Sequence, residues 1–188
     1  CLNKLEDEKK VAGVSGYCHN FDTKITNNYY FRAGSSWGWG TWGRAWACYN
    51  DDANQLLNEI SRKNLIKRFN IDGNRNFFKM LKDTKAGLSD SWAIKFYASY
   101  FLRNMLFYFP SQTLVENIGH DDSGIHSGKT NNFDPDYLAD YVEYQNIEIK
   151  ENKIISHLFA KKFNDNQSKW MTLINVLKSI KSYIQNFK

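Results

Sequence analysis

Four tryptophans, Trp37, Trp39, Trp42 and Trp46, fall within ten residues, and Gly38, Gly40 and Gly43 are threaded between them. Indole is a large rigid surface with one N–H donor, and glycine permits positive φ and close backbone approach. The alternation therefore predicts a loop that lays indoles flat against a ligand, for which a sugar ring is a natural partner. Trp37 and Trp39, with Gly38 and Gly40, are the leading ligand candidates; Trp42 and Trp46 fit ligand contact and anchoring of a turn into a helix equally well. Two further segments carry chemistry: Asp90, two residues before Trp92, at an expected helix start, and the loop from Ile118 to Gly128 with His120, Asp121, Asp122 and His126. A carboxylate at a helix start serves as a cap or as a base, and a loop histidine serves as a hydrogen-bonding group or a metal ligand.

The elements that must position these groups follow from periodicity and turn chemistry. The start, residues 2–10, reads as the last turns of an amphipathic helix, and Val11 to Tyr17 as a buried strand ending at a site-forming loop. Asn50-Asp51-Asp52 offers cap chemistry to a helix carrying Leu56, Leu57, Ile60, Leu65, Ile66 and Phe69, which Ile71-Asp72-Gly73-Asn74 breaks. A short helix holds Phe77, Phe78, Met80 and Leu81. Another spans 89–103 with Trp92, Phe96, Tyr100 and Leu102, capped by Ser89 or Asp90. Residues 106–110 and 113–117 read as short strands around a turn. Beyond them an edge strand over 146–150 and amphipathic helices near 151–163 and 168–184 form a tail.

Composition narrows the class. At 188 residues and 42% hydrophobic, with 16% aromatic, the chain supports one domain with a proper core. No apolar run reaches the roughly 18 residues of a membrane span, and no signal-peptide pattern is present, so a cytoplasmic chain is expected. Cys1, Cys18 and Cys48 are odd in number and lack CxxC spacing, which argues against a disulfide framework or a structural zinc site. The net charge of +5 is densest toward the end of the chain. It suits first a solvated helix face, then peripheral contact with an anionic membrane surface, and nucleic acid least.

Taken in order, Trp37-Gly38-Trp39-Gly40-Thr41-Trp42, Ser89-Asp90-Ser91-Trp92-Ala93-Ile94, and Leu114-Val115-Glu116-Asn117-Ile118-Gly119 through Gly124-Ile125-His126 resemble the acceptor-side half of bacterial, family 2-like inverting glycosyltransferases. They are also distantly similar to the C-terminal half of the N-acetylglucosaminyltransferase I family. The resemblance covers roughly residues 8–160. It implies an α/β, GT-A (Rossmann-like) fold, here partial. Residues 1–135 correspond to the acceptor-side half and 136–188 to an edge strand and helical tail. The family's nucleotide-binding half and its Asp-x-Asp metal motif come before the equivalent of the Val11 strand, so a missing N-terminal half is expected.

The resemblance implies transfer of a sugar from a nucleotide-sugar donor to a glycan or lipid-linked acceptor, with a divalent cation, Mn²⁺ or Mg²⁺, in the complete enzyme. Asp90 matches the base, Trp37, Trp39, Trp42, Trp92, Gly38 and Gly40 the substrate-binding set, and His126 the loop histidine near the metal or the diphosphate. The family's eukaryotic relatives have two adjacent acids before the tryptophan, whereas this chain has Asp90-Ser91. His120 is expected to be structural, Asp121 and Asp122 to order their turn. Arg44 is expected to pair with an acid on the following helix in preference to meeting a phosphate. The competing expectation is a non-catalytic carbohydrate-binding or scaffold module, in which the aromatic loop stacks on sugar and Asp90 only caps a helix.

Overall fold

The computed structural model describes residues 1–21, 23–118 and 137–162. Its sheet has four strands, β1 (Val11–Ser15), β2 (Tyr29–Phe31), β3 (Trp39–Gly40) and β4 (Leu106–Phe109), in the order β2-β4-β1-β3. β1 and β4 run parallel while both outer pairs are antiparallel. The long β1–β4 connection holds α2 (Gly43–Trp46), α3 (Ala53–Arg62), α4 (Ile66–Phe69), α5 (Phe77–Lys85) and α6 (Trp92–Phe101), and a short α1 (Leu2–Leu5) precedes the sheet. The described chain is thus mixed α/β.

The sheet is covered on both faces, and its side chains sort by the period of two that a strand imposes. Tyr29, Phe31, Phe107 and Phe109 face the main core with the helices, whereas Tyr30, Leu106 and Tyr108 join Leu5 and Val11 on the opposite face. α6 is buried continuously from Ile94 to Phe101, as a helix apolar on every side must be, between the sheet and the α3–α5 layer. Phe107 lies between the backbones of Gly13 and Gly34: a Cβ on Gly13 would come within 2.6 Å of its ring and one on Gly34 within 2.8 Å.

The expected long helix after Asp52 is divided in two. Asp52 caps α3, accepting from the amides of Asn54 at 2.9 Å and Gln55 at 3.0 Å, but Asn64 turns left-handed at φ 55° and separates α4. Ile71 and Asp72 follow at φ 50° and 56°. A β-branched residue rarely adopts this conformation, and complete burial of Ile71 holds it there. The twist delivers Asp72 to Arg32, which lies just past β2. Arg32 is 5% exposed and donates to Asp72 Oδ2 at 2.9 Å and Oδ1 at 3.3 Å, to the Arg68 carbonyl at 2.9 Å, to Ser156 Oγ, and to Glu151.

Two expected strands are absent from the described residues. Over 113–117, Thr113 Oγ1 donates to the Val115 carbonyl and accepts from the Val115 amide in a local turn, while the Leu114 amide donates to the Gly16 carbonyl at 2.8 Å and the Thr113 carbonyl accepts from the Ala139 amide at 2.9 Å, isolated bonds that build no strand ladder. Over 146–150, Ile147 and Ile149 pack on the second face of the sheet, and just past the segment the chain reaches β2 through the isolated bridge Tyr30–Glu151 and the bond from the Asn152 amide to the Tyr30 carbonyl at 2.9 Å. Residues 153–162 are helical and place Ile155, Leu158 and Phe159 in the main core. The expected 168–184 helix lies outside the described residues.

Arg32→Met leaves the Asp72 carboxylate without its cation and Glu151 with Arg68 alone, 3.2 Å from its second oxygen. We expect it to lower unfolding free energy by about 3 kcal/mol in urea titration; an unchanged midpoint would show that the cluster is not a structural tie.

Candidate functional site

The start of α6 and the strand β3 together build an exposed aromatic platform. Trp92, the first residue of α6 and 42% exposed, stacks on Trp39 with ring centroids 5.5 Å apart and planes 22° from parallel. Trp46, 41% exposed at the end of α2, lies 6.0 Å from Trp92 and 6.5 Å from Trp39, and stacks on Tyr49 at 5.1 Å and 4°. The platform is backed from beneath: Trp39 leans on Phe96 at 5.8 Å and Phe107 at 6.2 Å. Indoles held this way present area with little rotamer freedom left to lose on binding.

Ser91, and neither Ser89 nor Asp90, caps α6, its hydroxyl accepting from the Ile94 amide at 3.4 Å, while Ser89 Oγ lies 3.0 Å from Thr84 Oγ1. Asp90 is therefore displaced one residue outside the helix. It is exposed, and among the described residues no hydrogen-bond or ion-pair partner is found for its carboxylate. A carboxylate not committed to capping is available for chemistry. It borders a polar cleft of about 580 Å³ whose lining includes Asp51, Asp52, Asn54, Lys85 and Lys95. Lys95 donates to Asp51 at 2.5 Å and Tyr49 donates to the same oxygen at 2.8 Å. The Lys95 bond, then the Tyr49 bond, holds the Asp51 carboxyl below the usual carboxylate range, and Asp51 pushes the Lys95 ammonium up. On the other side of Ser91 a smaller, mostly aromatic cavity of about 170 Å³ opens between Trp39, Trp92 and the 33–36 loop.

The remaining sequence candidates separate. Trp37 packs edge-on against Tyr17 at 4.7 Å, away from the stack. Trp42 packs on the opposite face of the sheet, under the Arg44 guanidinium 4.4 Å above its ring. Among the described residues Arg44 forms no salt bridge with the following helix; its charge lies near Asp7, Glu8 and Glu6. It donates to the carbonyls of Leu5 and Val11, each at 2.8 Å, and to that of Glu6, closing the end of α1. Gly38 and Gly40 have packing reasons for being glycine. Gly38, at φ 51°, lets Val115 approach so closely that a Cβ would sit 2.4 Å from Val115 Cγ1, and a Cβ on Gly40 would meet Leu2 at 3.0 Å. The positions His126, His120, Asp121 and Asp122 lie outside the described residues.

Sequence reasoning missed Tyr49 and Lys95. Tyr49 stands three residues after Trp46, the spacing of helical neighbours, and Lys95 is the one charge in an otherwise apolar helix and so requires an acid partner. It also passed over His19, whose ring meets Phe159 at 4.7 Å and Tyr17 at 5.0 Å. Burial, reinforced by the positive charges of Arg75 and Lys162, pushes its pKa down to about 3. The shift favours the neutral imidazole. Burial likewise pushes the Cys18 thiol up to about 11, leaving it protonated.

Among the described residues no group of three or more His, Cys, Asp or Glu side chains is placed to hold a metal ion. His126, the residue that the family resemblance matches to the divalent cation, lies outside the described residues. No helix among the described residues is long and apolar enough to cross a membrane. No family model, curated protein or solved structure matches the chain.

Two outcomes check this geometry. Gly38→Ala combines a left-handed backbone with the Val115 clash, and we expect a loss of about 1–3 kcal/mol in thermal or urea unfolding. For His19 the folded pKa lies below the ordinary value of about 6.5, so its contribution is complete above that pH and is lost as pH falls toward 3. The wild type is expected to lose on the order of 2 kcal/mol more than His19→Gln between about pH 7 and about pH 4.5; equal losses would show that His19 is free to protonate in the fold.

Proposed function

We propose that this chain is the acceptor-side part of an inverting glycosyltransferase of GT-A type, acting on a nucleotide-sugar donor and a glycan or lipid-linked acceptor. The observation that carries the reading is the uncommitted Asp90 carboxylate two residues from Trp92, on the rim shared by an indole platform and a polar cleft. A pyranose presents an apolar C–H face that suits an indole and a hydroxyl edge that suits polar partners, and this rim offers both. In the proposed reaction an acceptor hydroxyl gives its proton to Asp90 while its oxygen attacks the anomeric carbon. The bond to the departing nucleoside diphosphate breaks and carries away the electron pair, and the configuration inverts.

Chain geometry supports this division of labour. The Ser91 cap leaves Asp90 free of the helix amides, so the carboxylate keeps its lone pairs for an incoming proton. The stacked indoles orient the sugar and exclude water from one side of the rim. The family resemblance puts the nucleotide-binding half ahead of Val11, so the work left to this chain is to hold the acceptor, exclude water and take the proton.

The second reading, a carbohydrate-binding module without catalysis, draws on the same platform, because Trp39, Trp46 and Trp92 can stack on sugar whether or not Asp90 takes a proton. Asp90→Asn separates the two. In a protein that includes the donor half, transfer should fall by about 10²–10⁴-fold with ligand affinity within about twofold of wild type. Sugar binding with no transfer by the wild type would favour the binding module, and undiminished transfer by Asp90→Asn would remove Asp90 from the reaction.

A further inference from the structure

We propose that the aromatic cavity between Trp39, Trp92 and the 33–36 loop binds a trimethylammonium head group, such as that of choline. The assignment concerns the cavity and does not require that the exposed platform bind a sugar. Seven aromatic side chains line the cavity, among them Trp39, Trp92, Phe96, Tyr97, Tyr100 and Phe107, and no charged side chain does. Phe96 stands at 70° to Tyr100 and 76° to Phe107, and Trp39 at 42° to Phe96, so the rings enclose the space from several directions and do not form one layer. An apolar cavity of about 150 Å³ admits a molecule the size of benzene. At about 170 Å³ this one has room for a nitrogen and its methyl groups.

Ring faces carry partial negative charge, so an aromatic enclosure attracts a cation and repels an anion. The cation it suits has no N–H. A primary ammonium or a guanidinium buried among these rings would strand its donors, since the walls supply few acceptors. A trimethylammonium group has no donor to satisfy, and its charge is spread over methyl groups that pack against the rings. A countercharge lies close by. Ser91 lines the cavity, and the residue before it is Asp90, exposed and without an ion-pair partner among the described residues. Lying just outside the first turn of α6, the Asp90 carboxylate offsets the positive end of that helix and favours a cation nearby. Lys95, the one charge on α6, is engaged with Asp51.

The full chain is titrated calorimetrically with choline, with ethanolamine, and with 3,3-dimethylbutan-1-ol, the uncharged isostere of choline. Choline is expected to bind about tenfold more tightly than each of the other two, because the isostere gains the packing without the ring electrostatics and ethanolamine strands its N–H donors. Trp92→Leu removes a ring at an exposed position and should lower choline affinity about fivefold while leaving the isostere within about twofold of its wild-type affinity. Asp90→Asn should weaken choline about twofold to threefold, an effect that fades at about 1 M salt. The head group belongs either to a free solute or to a lipid, and cosedimentation with phosphatidylcholine vesicles distinguishes them. Retention that excess choline releases assigns the lipid, and choline binding without retention assigns the solute. Equal binding of choline and either comparison compound, a choline advantage unchanged in folded Trp92→Leu, or no choline binding would overturn the proposal. The comparison of choline with its isostere uses the wild type alone and so stands whether or not Trp92→Leu folds.

Discussion

A buried guanidinium must have every N–H answered, and Arg32 organises this protein through that requirement. Its five donors go to Asp72, Glu151, Ser156 and the Arg68 carbonyl, which arrive from separate parts of the chain. To supply Asp72, the backbone after α4 accepts left-handed conformations at Ile71 and Asp72. To supply Glu151 and Ser156, the C-terminal segment crosses β2 and turns into helix at residue 153. The next residues after Arg32 form the Ala33–Ser36 wall of the small cavity, so the same tie that closes the back of the fold holds one side of the candidate site.

The platform depends on a second constraint, the thickness of the sheet at Phe107. Glycine at 13 and 34 lets that ring lie against two backbones, and the ring in turn supports Trp39 and meets Tyr100 at 5.2 Å. Trp39 carries Trp92, and Trp92 borders Trp46, so the exposed indoles rest on a stack that reaches the sheet. A site built this way is largely organised before a ligand arrives. Its polar half has a comparable brace, because Lys95 on α6 fixes Asp51, and the phenol bonded to Asp51 is the one stacked on Trp46.

Much of this was legible from local pattern. β1, β4, the Asp52 cap, the break at Ile71-Asp72-Gly73 and the apolar helix after Ser91 follow from side-chain period and turn chemistry, and all appear close to their expected places. The failures share a cause. Residues 113–117 and 146–150 alternate like strands, but alternation reports only that one side faces an apolar surface. Ile147 and Ile149 meet the face of the sheet, and Thr113 bonds Val115 within its own turn. The α6 cap was misplaced by one or two residues because Ser89, Asp90 and Ser91 are all good caps, and local propensity does not choose among them.

The order of residues along the chain settles an inventory: a mixed α/β chain with an aromatic core, an indole-rich loop held by glycine, and an acidic residue beside a tryptophan at a helix start. Hydrophobic period, capping preference and backbone permissiveness act over a few residues and are written locally. Which indoles share a surface is settled only when distant segments pack. Packing joins Trp39, Trp46 and Trp92, turns Trp37 toward Tyr17, and sends Trp42 to the other face beneath Arg44. These outcomes depend on contacts between distant segments, where burial and complete pairing of polar groups are satisfied jointly and no short stretch of chain specifies them.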